Sequence, residues 1–215
     1  MAASTQLIKL TPREQRLRHL LVDVAKSIDN SKQLGEPVVL RWAGGWVRDK
    51  VIGIESHDID VAINAMTGQH FAHHLSEYCK TSEAIEAHGI GTGDIGNLHK
   101  VASNPDKSKH LETAMVKLFG LDLDFVNLRK ETYAEDSRNP QMEFGTAEED
   151  ALRRDATINA LFYNLHTEQL EDFTGGCKIW PTKLYGLHLS HFRHSWMTLF
   201  ECFALPDLLP ACLSA

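Results

Sequence analysis

Residues 40–63 read LRWAGGWVRDKVIGIESHDIDVAI, and this stretch decides both the fold and the chemistry open to the chain. An apolar strand run ends at Gly44 and Gly45, a short helix follows, and residues 58–63 alternate as a second strand. Glycines between a strand and a helix let the backbone approach a ligand closely, and the helix start presents N–H groups to an anion. Arg48 falls in the first turn of that helix, where its guanidinium can hold a phosphate. The stretch therefore predicts a phosphate-binding turn.

Asp58 and Asp60 are separated by one residue on the second predicted strand. Because successive side chains of a strand point to opposite faces, both carboxylates lie on the same face. That arrangement suits hard cations such as Mg²⁺, gripped together with the phosphates of a substrate. A glycine pair alone is usually only a turn, and an Asp-x-Asp pair alone is usually solvated surface. The ordered combination of turn, basic residue and acidic pair is far more specific, and it favours phosphate chemistry.

This ordered combination resembles the signature of the DNA polymerase β superfamily of nucleotidyltransferases. The resemblance implies that Gly44, Gly45 and Arg48 bind a nucleoside triphosphate. It also implies that Asp58 and Asp60 are catalytic residues that bind two Mg²⁺ ions.

A third acid in that superfamily usually comes from a neighbouring strand. Asp122 and Asp124 both offer it, because they share one face of the strand predicted over residues 121–128. The string DFVNLR places Asp124 where the related enzymes carry a catalytic acid, so we favour Asp124. The alternative for this residue is an exposed strand face without a role in catalysis.

The second constellation is the string ALRRDATINALFYNL, placed on a helix that a capping box opens at Thr146 and that is expected to reach about Leu161. The apolar residues of the string can face a core. Four residues remain that could bind a polar ligand: Arg153, Arg154, Asp155 and Asn159. On a helix, Asp155 and Asn159 lie one turn apart and share a face. Such a cluster is usually a solvated, salt-bridged surface, yet arginine forks also suit phosphate and ribose contacts.

The string RRDATINAL resembles the second motif of class II CCA-adding enzymes and of bacterial poly(A) polymerases. The resemblance implies that Arg153, Arg154, Asp155 and Asn159 contact the ribose and triphosphate of the incoming nucleotide. The segments SKHLETA and LDFVNLRKETY are more similar to the fungal CCA-adding enzymes. Over about residues 10–176, the resemblance therefore implies CCA addition to the 3′ end of tRNA from CTP and ATP. Residues 132–145 then correspond to the flexible loop of that family.

The remaining patterns predict an α/β (α+β) head domain with a small mixed sheet flanked by helices. A capping box at Thr11 opens the first helix, and Gly120 separates the two strands of a hairpin. The expected organisation is an N-terminal helix of the head in residues 1–37, the catalytic head in 38–176, and an atypical segment in 177–215.

The chain departs from the family after residues 171–176, which read EDFTGG. The family continues with a base-selecting E-D-x-x-R motif in a helical neck, and the arginine is not found here. We therefore expect a truncated form with weak, poorly selective nucleotide binding and low turnover. Two rivals stay open, a poly(A) polymerase-type head and a catalytically silent nucleotide- or protein-binding module. A zinc site could be considered for His188, His191 and His194 together with Cys177 or Cys202. The spacing of these residues matches no known zinc-binding pattern, so we do not predict such a site.

Bulk properties narrow the partners and the compartment. The formal net charge of −7 indicates no strongly basic RNA-binding surface, so nucleic-acid contact must come from a local patch. No apolar run approaches the span of about 20 residues that crosses a membrane, and no secretory signal is recognisable. We expect a mitochondrial or nuclear-cytosolic protein that is not secreted and does not bind membranes. Residues 91–96 fit G-x-G-x-x-G but are interpreted as a loop.

Overall fold

The computed structural model describes residues 8–31, 35–91, 93–96, 99–101, 113–132 and 141–177. The helices are α1 (Pro12–Asn30), α2 (Gly45–Val51), α3 (Gly68–Tyr78), α4 (Ser82–His88) and α5 (Ala147–Leu152). The strands are β1 (Leu40–Ala43), β2 (Asp58–Ile63), β3 (His99–Val101), β4 (Thr113–Leu118), β5 (Leu121–Asn127), β6 (Arg129–Thr132), β7 (Gln141–Phe144), β8 (Leu161–Asn164) and β9 (Gln169–Asp172). These elements lie in one compact unit, Met1–Gly176.

Seven of the strands form one mixed sheet in the order β3-β4-β5-β2-β1-β8-β9. β2 and β5 run parallel, whereas β1 pairs antiparallel with both β2 and β8. The predicted hairpin forms between β4 and β5, and its turn places Phe119 and Gly120 at φ values of 51° and 76°. Two consecutive positive φ values match the right-handed twist of the flanking strands. The predicted mixed α/β sheet flanked by helices is confirmed.

Helix α1 begins at the predicted capping box. The Thr11 hydroxyl accepts a hydrogen bond from the Glu14 N–H, and the Glu14 carboxylate accepts one from the Thr11 N–H. Its apolar residues recur every three or four positions and are all buried: Leu17, Leu20, Leu21, Val24 and Ile28. This stripe packs α1 against α3, α4 and β1.

Three aromatic rings fix the short helix α2 on the sheet. Trp42 of β1 lies 4.5 Å from Trp46 of α2 and 5.8 Å from Tyr163 of β8, measured between ring centroids. Both tryptophans are almost fully buried. Because β1 and α2 are joined only by the glycine turn, this packing also fixes the turn between them.

The predicted helix from Thr146 to about Leu161 is wrong beyond its first two turns. Its capping box forms, but α5 ends at Leu152, and Thr157–Ala160 form a separate 3₁₀ turn. Ala156 between them is extended, with φ −145° and ψ 137°. The β-branched Thr157 and Ile158 favour helix less than straight-chain residues do.

That early end changes which residues share a face. Asp155 and Asn159 do not lie on one helix, so their predicted common face does not exist. Leu152, expected to face a core, is 68% exposed, whereas Ile158 and Leu161 are buried as predicted.

Other elements were not predicted, and several predictions lie outside the described residues. Helix α4 is one of these elements, and it is capped by Thr81 and by Gly89 at φ 61°. Strands β6 and β7 pair at the two ends of the predicted flexible segment, of which residues 133–140 lie outside the described ranges. The atypical segment lies outside them from residue 178 onward, and it includes His188, His191, His194 and Cys202. Among the helices described, none combines the length and apolar character needed to cross a bilayer.

Candidate active site

The glycine turn between β1 and α2 meets residues from two other parts of the chain. Gly44 adopts φ 64° and ψ −127°, a conformation open essentially to glycine. A Cβ atom on Gly44 would lie 3.0 Å from Nη1 of Arg154 and 3.5 Å from Oδ2 of Asp60. Gly45 starts α2, and a Cβ atom there would lie 3.6 Å from Nη2 of Arg48. The turn, one acid of β2 and one arginine of the second motif therefore converge.

The predicted carboxylates lie on two parallel neighbouring strands. Asp58 of β2 is opposite Asp122 of β5, and Asp60 is opposite Asp124, so all four side chains share one face of the sheet. Asp58 is exposed, whereas Asp60 and Asp124 are partly buried.

Burial raises the pKa of Asp60 above its ordinary value; the guanidinium of Arg154 opposes this rise and the charge of Asp58 adds to it. Burial also raises the pKa of Asp124, and the charges of Asp60 and Asp58 raise it further. The face therefore holds negative charge that its surroundings only partly neutralise.

The structure separates the two candidates for the third acid. The carboxylate of Asp122 is more than half exposed and pairs with Nζ of Lys117 at 3.2 Å. Asp124 is more buried and lies in register with Asp60. Asp124 is therefore the acid whose charge couples to the predicted pair.

The donor chemistry of this face fits a hard cation. Carboxylate oxygens are the ligands that Mg²⁺ prefers, and a cation would relieve the repulsion between Asp60 and Asp124. Within the described ranges, no three His, Cys, Asp or Glu side chains are already gathered closely enough to hold a metal ion. The acids are instead spaced along one face of β2 and β5.

A buried carboxylate that sequence reasoning missed holds the arginine pair. Asp150 of α5 is only 2% exposed. Its Oδ1 accepts a hydrogen bond from Nη2 of Arg153 at 2.6 Å, and its Oδ2 accepts one from Nε of Arg154 at 2.9 Å. The backbone N–H of Arg129 also donates to Oδ1, at 3.1 Å. The i, i+3 and i, i+4 spacing of D-x-x-R-R was the signal that could have revealed this cluster.

Beside the arginine pair lies a cavity of about 330 Å³. Its lining combines both predicted motifs with residues not predicted as site residues: Asp60, Ala62, Val126, Asn127, Arg129, Asp150, Arg153, Arg154 and Asp155. Arg129 stands out because its Nε is buried and has no hydrogen-bond partner among the described residues. Burial lowers the pKa of Arg129, and the nearby charge of Arg153 lowers it further. An anion in the cavity would supply the acceptor and the negative charge that Arg129 needs.

Arg48 and Asn159 are joined directly. Nη1 of Arg48 donates to Oδ1 of Asn159 at 2.9 Å, and the backbone carbonyl of Asn159 accepts from Nη1 of Arg154 at 3.2 Å. The first and second motifs, distant in the sequence, are therefore linked next to Gly44. Asp155 is exposed at the cavity, while Asp58 lies on the same sheet face outside its lining.

Comparisons with known proteins identify the family of the chain. The sequence profile of the Poly A polymerase head domain matches residues 40–183. Nucleotidyltransferase lcsQ of Purpureocillium lilacinum is 70% identical over 174 residues, covering 81% of this chain and 29% of the relative. The mitochondrial CCA tRNA nucleotidyltransferase of Saccharomyces cerevisiae is 54% identical over 170 residues, covering 78% and 30%. The chain thus spans about a third of the length of the curated relatives it matches.

A solved structure shows the same fold. The apo form II of a CCA-adding enzyme superposes with a TM-score of 0.57 at 24% sequence identity, and the match covers 79% of this chain and 34% of that one. At this identity the likeness concerns the fold alone.

Proposed function

The chain belongs to the Poly A polymerase head-domain family, and we propose that it is the catalytic head of a tRNA nucleotidyltransferase. The proposed reaction is the addition of CCA to the 3′ end of tRNA from CTP and ATP. The observation that carries the proposal is the meeting of Asp60 and Arg154 at Gly44, which brings metal-binding and phosphate-binding chemistry to one point. The names of the fungal relatives, which are CCA tRNA nucleotidyltransferases, support the choice of substrate.

The proposed chemistry is an in-line displacement at phosphorus. The terminal 3′-hydroxyl of the tRNA attacks the α-phosphorus of CTP or ATP and loses its proton. A new phosphodiester bond forms, and the bond to the bridging oxygen breaks so that pyrophosphate leaves. Two Mg²⁺ ions, when bound, would lower the pKa of the attacking hydroxyl and stabilise the leaving pyrophosphate. Nearly all the protein's contribution is then positioning and electrostatic stabilisation.

Asp58 and Asp60 are the residues that we propose as metal ligands, and we propose Asp124 as the third catalytic acid. Their carboxylates share one face, and the repulsion between the two partly buried ones favours a cation there. Asp58 and Asp60 come from β2, and Asp124 comes from the parallel β5, so the three acids lie on rigid neighbouring strands.

The nucleotide is held by the glycine turn and the second motif. Gly44 and Gly45 lack side chains where the triphosphate must approach the backbone, and Arg48 lies in the first turn of α2. We propose that the second motif binds the triphosphate and ribose through four residues: Arg153, Arg154, Asp155 and Asn159. The hydrogen bond from Arg48 to Asn159 keeps the two halves of this site in fixed register.

Incorporation of labelled nucleotide tests the proposal. A tRNA transcript that lacks its terminal CCA is incubated with Mg²⁺, the purified chain and labelled CTP or ATP, supplied separately and together. We expect low incorporation of both CTP and ATP with little selection between them, as the sequence predicts, and we expect Asp58→Ala to abolish it. Robust, ordered addition of C, C and A would contradict the expected low selectivity. Incorporation of ATP alone, repeated along the tRNA, would instead identify a poly(A) polymerase-type head. Incorporation that survives Asp58→Ala would refute the metal assignment.

The compartment is also a proposal. Two of the fungal relatives are named as mitochondrial enzymes. We propose that this protein acts on tRNA in mitochondria, with a nuclear-cytosolic pool as the further expectation. Cell fractionation with an antibody against residues 8–31 tests both, and recovery only from the culture medium would contradict them.

A further inference from the structure

The buried carboxylate of Asp150 lies between the two arginines of the second motif. We infer that Asp150 is a positioning residue that holds the guanidiniums of Arg153 and Arg154 in place for the incoming nucleotide, an inference that rests on the proposed function. Asp150 is 2% exposed and lies at the base of the cavity that both arginines line. A carboxylate this deeply buried is costly unless it is paired, so its surroundings show what it serves.

The donors around Asp150 divide cleanly between its two oxygens. Oδ1 accepts from Nε and Nη2 of Arg153 at 3.0 and 2.6 Å. Oδ2 accepts from Nε of Arg154 at 2.9 Å, and Nη2 of Arg154 forms an ion pair with the same oxygen at 2.9 Å. Each guanidinium is therefore held by two of its nitrogens, which fixes its plane as well as its position. The N–H groups that contact neither Asp150 nor the Asn159 carbonyl are the ones that a ligand in the cavity can bind.

The charges around Asp150 explain why the arginine pair needs it. Arg129, Arg153 and Arg154 line the cavity with three acids, Asp60, Asp150 and Asp155, of which Asp150 lies between the arginine pair. Without this carboxylate, the two neighbouring guanidiniums would repel each other and swing toward solvent. With it they stay side by side at the cavity.

Further contacts lock Arg154 beside the glycine turn. Its Nη1 donates to the backbone carbonyl of Asn159 at 3.2 Å, and its guanidinium carbon lies 5.2 Å from the ring centroid of the buried Phe162. The same Nη1 is the atom nearest to a Cβ placed on Gly44. Asp150 therefore sets the distance between Arg154 and the turn that we propose for the triphosphate.

The carboxylate also connects the end of α5 to its surroundings. Arg153 and Arg154 lie three and four residues after Asp150, and their side chains return to it at the point where the helix stops. The oxygen Oδ1 further binds the N–H of Arg129, the first residue of β6. One side chain thus ties the end of α5, the start of β6 and the arginine pair together.

The first test measures the geometry without a nucleotide. The variant is Asp150→Asn, which keeps the shape of the side chain but removes its negative charge and replaces one acceptor oxygen by an NH2 donor. The control is Glu148→Gln, an exposed acid on the same helix that does not line the cavity. The Nε–H signals of Arg153 and Arg154 in ¹H–¹⁵N spectra, assigned with Arg→Lys variants, should move to the positions of exposed arginines only in Asp150→Asn. Unchanged signals in Asp150→Asn would overturn the inference.

The second test measures binding of CTP and ATP in Mg²⁺ by calorimetry, at a temperature well below unfolding. Asp150→Asn should raise Kd for both nucleotides about 10-fold or more, the range typical for loss of a group that orients a ligand, while Glu148→Gln keeps the wild-type Kd. A residue with only a structural role would lower the fraction of binding-competent protein and leave Kd unchanged. Such a result would overturn the inference.

The third test is a coupling measurement that also serves if Asp150→Asn does not fold. Arg154→Lys keeps the positive charge but cannot reach both Asp150 and the Asn159 carbonyl with a planar fork. We expect it to weaken CTP binding, and we expect Asp150→Asn to add little in that background. Wild-type affinity in Arg154→Lys, or fully additive losses, would overturn the inference. A wild-type chain that binds neither nucleotide would instead overturn the proposed function on which the inference rests.

Discussion

Substitution of Gly44 by alanine gives the sharpest local test of the phosphate-binding turn. At φ 64° and ψ −127°, any residue with a Cβ is strained, which costs about 1–3 kcal/mol of folding free energy. The added methyl would also lie 3.0 Å from Nη1 of Arg154, tighter than an ordinary contact, so the guanidinium must shift. For a domain of this size, each kcal/mol lowers Tm by about 2–4 °C. We therefore expect Gly44→Ala to lower Tm by several degrees and to abolish measurable CTP binding.

The matched control is Gly53→Ala. Gly53 has φ 77°, so alanine is strained there too, but its Cβ would meet no atom within 4 Å. The control should lose about 1–2 kcal/mol of stability and retain wild-type CTP affinity. Unfolding is followed in urea, and binding is measured by calorimetry in Mg²⁺ at a temperature where all variants are folded. If Gly44→Ala binds CTP as tightly as Gly53→Ala, the turn does not approach the triphosphate and the reasoning fails.

Three further predictions concern titratable groups. Burial raises the pKa of Asp60, so the ionised carboxylate costs folding free energy at neutral pH. At pH 7 without metal, Asp60→Asn should therefore unfold at no lower urea concentration than the wild type, although it should lose transfer activity. A clear destabilisation of Asp60→Asn would contradict this prediction. His166 accepts a hydrogen bond at Nε2 from the Leu40 N–H at 3.2 Å, and burial lowers its pKa. Because the folded state favours the neutral imidazole of His166, its contribution to stability should be complete above pH 6.5 and should decrease as the pH falls below that value. In urea unfolding measured from pH 8 to 5, His166→Gln should show a smaller loss of stability at low pH than the wild type. Burial raises the pKa of Cys79 to about 11. Iodoacetamide at pH 8 should therefore alkylate Cys79 slowly in the native protein and rapidly in urea. Equal rates in the two conditions would show that the Cys79 thiol is not buried.

Local patterns predicted the parts of the fold that depend on neighbours in sequence. The alternation of residues 58–63 gave β2 with its bounds, because one face of that strand is buried and its register is specified by the pattern. The capping boxes at Thr11 and Thr146 gave the starts of α1 and α5, since each is closed by a residue three positions later.

Tertiary contacts decided what the sequence could not show. The helix after Thr146 looked continuous, but it ends at Leu152, where the two arginines turn back to Asp150. Asp150 itself was overlooked because an acid on an amphipathic helix usually faces solvent. Its burial follows from the packing of α5 on β6, which no local pattern announces.

The candidate site was predictable by residue type but not by arrangement. Asp60, Arg154 and Gly44 were chosen from two separate motifs, and their convergence depends on β1 lying between β2 and β8 in the sheet. The same topology brings Asn159 to Arg48. Arg129 was missed as a site residue because its buried, unpartnered Nε becomes visible only in three dimensions.

Calorimetric titration of CTP into the 215-residue chain, with Mg²⁺ and then with excess EDTA, probes the metal–nucleotide site most directly. We predict saturable binding in Mg²⁺ that weakens strongly in EDTA and is lost in Asp60→Asn, with Lys117→Gln as a control outside the cavity lining. Binding that is absent in the wild type, or that is indifferent to both Mg²⁺ and Asp60, would contradict the account.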